Sequence, residues 1–277
     1  GSIRTARIAD NIVTYIILII VSLIFPFPCV WRIAASFSKS GDIHSFSGFF
    51  PEEFSVQTFV DLFTDDVNGL YPYGRWFLNT LYVATMTCII GTLLTILTGY
   101  VMSRFRFKGR DALFFLVLVL MLLPFQVTMA PSVMTLRALG ILNTPWAVIL
   151  PMWFSPFYLF LVRQFMLGLP NEILEAGQMD GAGTFRCLWQ VVLPVCRPII
   201  GASVALSFAD CWNLVEQPLI YLTDSSQQPL SVMFNQINTD SADVAFAGAA
   251  LYILPMLLVY LYFQDDILLG VQLSELK

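Results

Sequence analysis

Six stretches of this chain stay apolar for about 20 residues each, the length a helix needs to cross the hydrocarbon core of a bilayer. They cover residues 12–31, 77–101, 112–131, 144–162, 199–222 and 244–263. Inside hydrocarbon every backbone N–H and C=O must be paired within the protein, so runs of this length form helices. Prolines in the third and fourth runs are compatible with that, because bundled membrane helices tolerate them. The expectation is an all-α, polytopic membrane protein with six transmembrane helices. Composition supports it: the chain is 57% hydrophobic and 12% charged, whereas a soluble domain carries about 25% charged residues. Length alone would allow one or two soluble domains; composition gives a single membrane domain over residues 1–277. The leading Gly1-Ser2 carries no Met and reads as a cloning remnant. The first apolar run is long enough to span and has no small-residue cleavage site after it, so no cleavable signal is expected.

Orientation follows from the basic residues, which concentrate on the cytoplasmic side of membrane proteins. With the N-terminus inside, only Arg32, Lys39, Arg75 and Arg137 fall outside, and the other ten of the 14 basic residues fall inside. The firmest anchor is the run Arg104, Arg106, Lys108 and Arg110. Both termini are therefore expected in the cytoplasm. The outer loop, 32–76, carries six carboxylates, and one or two short surface helices are expected there, one of them over 56–63. Trp31 and Trp76, at span ends, read as interfacial anchors. Asn79 reads as a helix-packing polar group.

The inner loop, 163–198, is the more informative one. Pro170 suits the first turn of a helix, and Glu172 and Glu175 follow near its positive end, three residues apart on one face. Gly181 and Gly183 stop that helix, and Thr184 can cap a second one. The expected unit is a short helix, a glycine corner and another short helix. Taken alone, such a unit is either a stiff protrusion that transmits force from a partner or an amphipathic loop lying on the membrane.

Chemistry within the chain is sparse. No G-x-x-x-x-G-K-[ST] phosphate loop is present, so any ATP chemistry must come from another chain. There is no H-E-x-x-H or Cys/His metal set, and the sole histidine, His44, reads as a solvated loop residue. The five cysteines form no C-x-x-C pair and read as free thiols. A net charge of -5 gives no footprint for nucleic acid. No nucleophile–base set marks the chain as an enzyme. The polar span is the fifth. Asp210, Asn213 and Glu216 recur every three residues and would fall within about 120° of one helix face. A carboxylate inside a membrane is costly and marks a functional site by default. One reading is a path-lining stripe, with Trp212 and Phe208 able to stack on the apolar face of a solute and the carboxylates able to accept from its hydroxyls. The other is a paired structural group facing a partner subunit.

The inner loop also carries a family resemblance. Glu175-Ala176-Gly177, three residues, Gly181, nine residues, then Val191-Val192-Leu193-Pro194 resembles the coupling loop of ABC-importer permeases. That loop reads Glu-Ala-Ala, three residues, Gly, nine residues, Ile-x-Leu-Pro. The spacing matches, with Gly177 for the second Ala and Val191 for Ile. Other segments are similar to the carbohydrate branch, particularly the maltose-type second permease: the basic turn from Ser103 to Gly109, Leu123-Pro-Phe-Gln126, Pro131, Leu139 to Thr144, Ala209 to Asn213, Pro255, Gln264 and Gly270. The resemblance implies a type I importer permease fold in the bacterial inner membrane. It implies pairing with a homologous sister permease, two cytoplasmic ATPase subunits beneath that hold ATP and Mg, an extracytoplasmic substrate-binding protein, and a sugar or oligosaccharide substrate. No cofactor is implied for this chain. The ATPase-coupling residues carried over are Glu172, Glu175, Ala176, Gly177, Asp180, Gly181, Leu193 and Pro194; the candidate translocation path is Asp210, Trp212, Asn213 and Glu216. Two other classes stand beside this one. An ion-coupled secondary transporter could use Asp210 and Glu216 as coupling carboxylates, although no 3+3 internal repeat is evident. A non-transporting scaffold would leave the polar fifth span unexplained.

Overall fold

The computed structural model describes residues 2–38, 51, 53–64, 73–179, 181–234 and 242–275. Among them there is no strand, and only an isolated bridge joins Ser38 and Phe54. The described residues divide into two compact units.

The first unit is Gly1–Tyr73 with Ile237–Ile253. It opens with α1 (Ser2–Ile24) and α2 (Phe27–Ala35), which together give an apolar stretch over Asn11–Ala35. Their join holds Pro26 and Pro28, placed at the start of α2 where a missing N–H costs nothing. Every side chain from 11 to 30 is exposed in this chain, as expected of a helix with lipid around it. The loop beyond packs by aromatic contact: Phe37 stacks on Phe54 at 4.8 Å and meets Phe59 at 5.0 Å. Helix α3 runs over Gln57–Thr64, one residue along from the predicted 56–63. Phe63 meets Tyr73 edge-on, and the Tyr73 hydroxyl donates to the Gly248 carbonyl at 2.7 Å. His44 lies outside the described residues.

The second unit is Gly74–Gln236 with Leu254–Lys277. Its elements are α4 (Tyr73–Arg104), α5 (Arg110–Met121), α6 (Phe125–Ala138), α7 (Pro145–Met152), α8 (Pro156–Leu167), α9 (Asn171–Met179), α10 (Thr184–Cys187), α11 (Leu193–Trp212), α12 (Glu216–Tyr221), α13 (Leu230–Met233) and α14 (Ala242–Glu275), the last beginning in the first unit. A π-turn over Leu188–Val192 joins α10 to α11, so that Thr184–Trp212 is one continuous helical stretch of 29 residues. Its widened geometry fits Pro194. A proline ring clashes with the carbonyl four residues back, and here Leu193 N–H reaches the carbonyl of Leu188, five residues back. The core between α4, α8 and α11 is built from Ile96, Tyr100, Val162, Met166, Leu188, Val192 and Ile199.

Among the described residues, five helices are long and apolar enough to cross a membrane, or six if one bent pair counts as a single span. That pair corrects the third predicted span, 112–131. It is two helices, α5 and α6, meeting at 106°. Pro124 has no N–H for the Leu120 carbonyl, which accepts from Leu123 instead at 3.2 Å. The fifth predicted span, 199–222, also breaks. Helix α11 ends at Trp212 and α12 starts at Glu216. Pro218 cannot donate to the Leu214 carbonyl, and that oxygen accepts from the Ser231 hydroxyl at 2.6 Å. Trp76 is corrected too: it is 2% exposed, and its indole N–H donates to the Ser225 carbonyl at 3.2 Å, so it holds protein to protein and is no interfacial anchor.

Candidate functional site

The loop after α8 is seated by one side chain. Arg104, the last residue of α4, donates to the carbonyls of Met166 and Leu169 and to Oδ1 of Asn171, the latter two at 2.9 Å. Carbonyls at a helix C-terminus carry partial negative charge, so a guanidinium there is favourable. The same group therefore closes α8 and fixes the first residue of α9. Pro170 stands just before α9 rather than in its first turn. Leu174 packs inward against the core, while Glu172, Ile173, Glu175, Ala176 and Met179 are exposed. Glu175 looks into a recess of about 300 Å³ shared with Tyr100, Arg104, Phe105, Asn171, Leu174 and Thr184.

Two glycines set the corner. Gly181 has φ +80°, a left-handed conformation that costs other L-residues about 1–2 kcal/mol. With it, Ala182 N–H bonds back to the Gly177 carbonyl at 3.0 Å, the six-to-one closure of a Schellman-type helix end. Gly177 has a different reason to be small. A Cβ there would sit 3.3 Å from Cγ2 of Val191 and 3.4 Å from Sγ of Cys187, so the bare backbone lets α9 lie close on the π-turn. The sequence reading, which noted Gly177 only as a departure from the second Ala, missed this contact. Thr184 does not cap α10: Gly183 holds that position and no side-chain cap forms, so Thr184 is the first helical residue. Leu193 packs against the core and Pro194 is exposed at the start of α11. Asp180 lies outside the described residues.

The candidate path residues do not form one set. Asp210, Asn213 and Glu216 are all exposed in this chain, but they do not share a helix. Asn213 terminates α11, with Nδ2 bonded to the Ala209 carbonyl at 2.9 Å. Glu216 opens α12 and accepts from Gln126 at a long 3.5 Å. Asp210 Oδ2 accepts from the Tyr158 hydroxyl on α8 at 2.5 Å. Trp212 must be withdrawn from the path: it is fully buried, stacked on Phe208 at 5.4 Å and edge-on to Phe77 at 5.7 Å. A tryptophan followed by a polar residue in an apolar run gives no sign of which way the ring turns; the contacts with Phe208 and Phe77 decide it.

Sequence reasoning also missed the polar frame at the far end of α4. Asn79 Nδ2 donates to the carbonyls of Ser226 and Gln228, at 2.8 and 3.1 Å, and the Thr80 hydroxyl accepts from Leu230 N–H at 2.8 Å. Asn143, with φ 63°, accepts from the N–H groups of Thr223 and Asp224. Asp224 in turn caps the short turn Ser225–Gln227, and hydrogen bonds from Ser226 hold its carboxyl below the usual carboxylate range.

Comparison with known proteins adds a family and a fold. The family model described as "Binding-protein-dependent transport system inner membrane component" matches residues 91–267. The chain is 29% identical over 264 residues to the arabinooligosaccharides transport system permease protein AraQ of Halalkalibacterium halodurans, covering 93% of each. It is 29% identical to the diacetylchitobiose uptake system permease protein NgcG of Streptomyces coelicolor, covering 92% of this chain and 85% of that protein. In fold it is similar to a chain of a bacterial ABC transporter involved in the import of the acidic polysaccharide alginate, with a TM-score of 0.81 at 21% identity over 95% of this chain and 97% of that one.

Proposed function

The chain belongs to the binding-protein-dependent transport system inner membrane components, and from that membership we propose that it acts over its whole length as one permease subunit of an ATP-driven importer for a sugar or oligosaccharide. It is a multi-pass membrane protein, and in this reading both its termini are cytoplasmic. It pairs with a homologous sister permease. Two ATPase subunits beneath supply ATP and Mg, and an extracytoplasmic protein delivers the substrate. The chain itself contributes no catalytic group and no cofactor site. The carrying observation is the construction of the inner loop. A short exposed helix, α9, is fixed at one end by Arg104 and at the other by the Gly181 corner. It lies on a stretch that continues without a break from Thr184 to Trp212 and bears Asp210 near its far end. A partner cleft that grips α9 through Ile173, Glu175 and Met179 would thereby move the polar end of α11. ATP binding and hydrolysis shift the permease between outward and inward states only through differing affinity for the two.

Sugar as substrate rests on the names of the relatives and on a polar end of α11 that offers carboxylate and amide groups to hydroxyls. Membership of this family leaves the ion-coupled reading without support. The test is uptake by proteoliposomes that hold the assembled transporter with ATP inside and binding protein with labelled arabinooligosaccharide or diacetylchitobiose outside. Uptake that needs internal ATP is the expected result. Uptake driven by a proton or sodium gradient without ATP would overturn the reading.

A further inference from the structure

The turn between α4 and α5 carries a group of charges that the coupling loop does not use. Residues 105–109 are irregular and alternate aromatic with basic: Phe105, Arg106, Phe107, Lys108. All four are exposed, the two rings at 41% and 43%. Beside them lies a recess of about 420 Å³, lined by Arg106, Phe107, Gly109, Arg110, Asp111 and Ala112. Its single carboxylate is already engaged. Asp111 pairs with Arg110 at 3.0 Å and faces Arg163 at 3.9 Å. Arg106 and Lys108 have no ion-pair partner among the described residues. The turn therefore presents uncompensated positive charge at the end of a membrane helix.

What adjoins that charge is apolar. Ala112 lines the recess, and Leu116 and Leu120 follow it at successive four-residue steps on the same face of α5. They are 55% and 42% exposed. A free anion would use the recess and ignore this stripe. A phospholipid would use both, with its headgroup phosphate among the cations and its acyl chains along the helix. Basic recesses at the ends of membrane helices suit anionic headgroups for this reason. The flanking Phe105 and Phe107 sit at the level where aromatic rings favour the interface.

We propose that the recess at the start of α5 binds the headgroup of an anionic phospholipid whose acyl chains lie along Ala112, Leu116 and Leu120. The site depends on α5 meeting lipid, and it is independent of which solute the transporter carries. The test uses the assembled transporter in detergent with equal amounts of phosphatidylglycerol and phosphatidylcholine added, and counts retained lipid by native mass spectrometry. The wild type is expected to retain phosphatidylglycerol preferentially. R106Q/K108Q should weaken that retention about fivefold for each charge removed, roughly 25-fold for the pair. Ala112→Phe fills the recess without changing charge and should abolish the preference as well, while Arg137→Gln, a basic change elsewhere, should leave it intact. Equal retention of both lipids by the wild type overturns the proposal. So does undiminished phosphatidylglycerol in either R106Q/K108Q or Ala112→Phe. Loss of the ATPase subunits from R106Q/K108Q with its phosphatidylglycerol retained would also overturn it, and would assign the turn to a protein contact.

Discussion

The carboxylate of Asp266 on α14 lies directly against the backbone of Gly201 on α11. A Cβ at position 201 would come within 2.8 Å of both Cβ and Cγ of Asp266. Real Cβ atoms do not approach that closely, so the two helices meet here only because Gly201 has no side chain. Gly201→Ala is therefore expected to destabilise the protein by about 1–3 kcal/mol, the usual cost of overpacking. Thermal unfolding in the Asp266→Gly background decides the cause. The further loss on adding Gly201→Ala should be small there. An equal loss in both backgrounds would assign the cost to something other than this contact.

Arg104 should matter to coupling as much as to folding. It donates to two carbonyls and one amide oxygen across the end of α8 and the start of α9. Charge-assisted hydrogen bonds of this kind contribute about 1.5–3 kcal/mol each. Arg104→Ala should lower the unfolding temperature and also detach the start of α9. Arg104→Lys, with a point charge and no fork, should recover stability only in part. Measured in proteoliposomes, both variants should hydrolyse ATP without proportionate uptake. Full coupling in Arg104→Ala would show that α9 is seated by other means.

Glu175 is exposed on α9, so its replacement should leave the fold alone. Glu175→Lys reverses a charge beside Arg104 in the recess they share. Surface changes of this sort shift stability by about 0.5 kcal/mol or less. The variant should insert and assemble normally yet fail to link hydrolysis to uptake. Wild-type uptake would remove Glu175 from the partner contact. Gly181→Ala is the matching backbone test. The left-handed φ should cost about 1–2 kcal/mol locally, read as faster hydrogen exchange confined to residues 177–183.

Asp210 keeps one carboxylate oxygen on Tyr158 and is exposed. Asp210→Ala is expected to reduce uptake more than it reduces the yield of assembled complex. Stranding the Tyr158 hydroxyl should cost about 1–3 kcal/mol. Tyr158→Phe separates the roles: it removes the donor and leaves the carboxylate. A Tyr158→Phe complex that is stable but shows altered solute preference supports a path-lining Asp210. Collapse of the assembled complex in Asp210→Ala would assign the residue to structure.

The helices were legible where one physical constraint dominated. Apolar length alone located the long helices around 12–31 and 77–101, because no other structure satisfies the backbone in lipid. Spacing alone located the inner corner, since a left-handed position selects glycine at 181. Directions were not legible. Nothing in Leu122-Leu123-Pro124 states that the chain turns by 106° there, because each residue is as apolar as its neighbours. The break after Trp212 depends on Pro218, six residues on, and on a hydroxyl at Ser231 that lies beyond any local window. Trp76 reads as an interfacial anchor and Trp212 as a path residue in sequence because composition cannot show which face a ring occupies. Tyr158 could not be tied to Asp210 at all, as they are 52 residues apart.

Orientation can be read chemically. Single cysteines at Lys108 and Arg137, in a background free of the native cysteines, should react oppositely with an impermeant thiol reagent applied to intact cells. Arg137→Cys should label and Lys108→Cys should not. Labelling of both from outside would overturn the inward placement of the basic turn.

The helix from Thr184 to Trp212 has a mechanical consequence. At 1.5 Å per residue, its 29 residues make a beam about 43 Å long. A tilt of roughly 10° about one end of such a beam carries the other end through about 7 Å. In the proposed mechanism the stroke delivered at Asp210 would be set by leverage and by where the fulcrum falls, rather than by relays of side chains. The π-turn at Leu188–Val192 interrupts the regular ladder of that stretch, and it sits beside the driven end. Softening there would waste the stroke before it began, whereas the same softening near Asp210 would waste almost none.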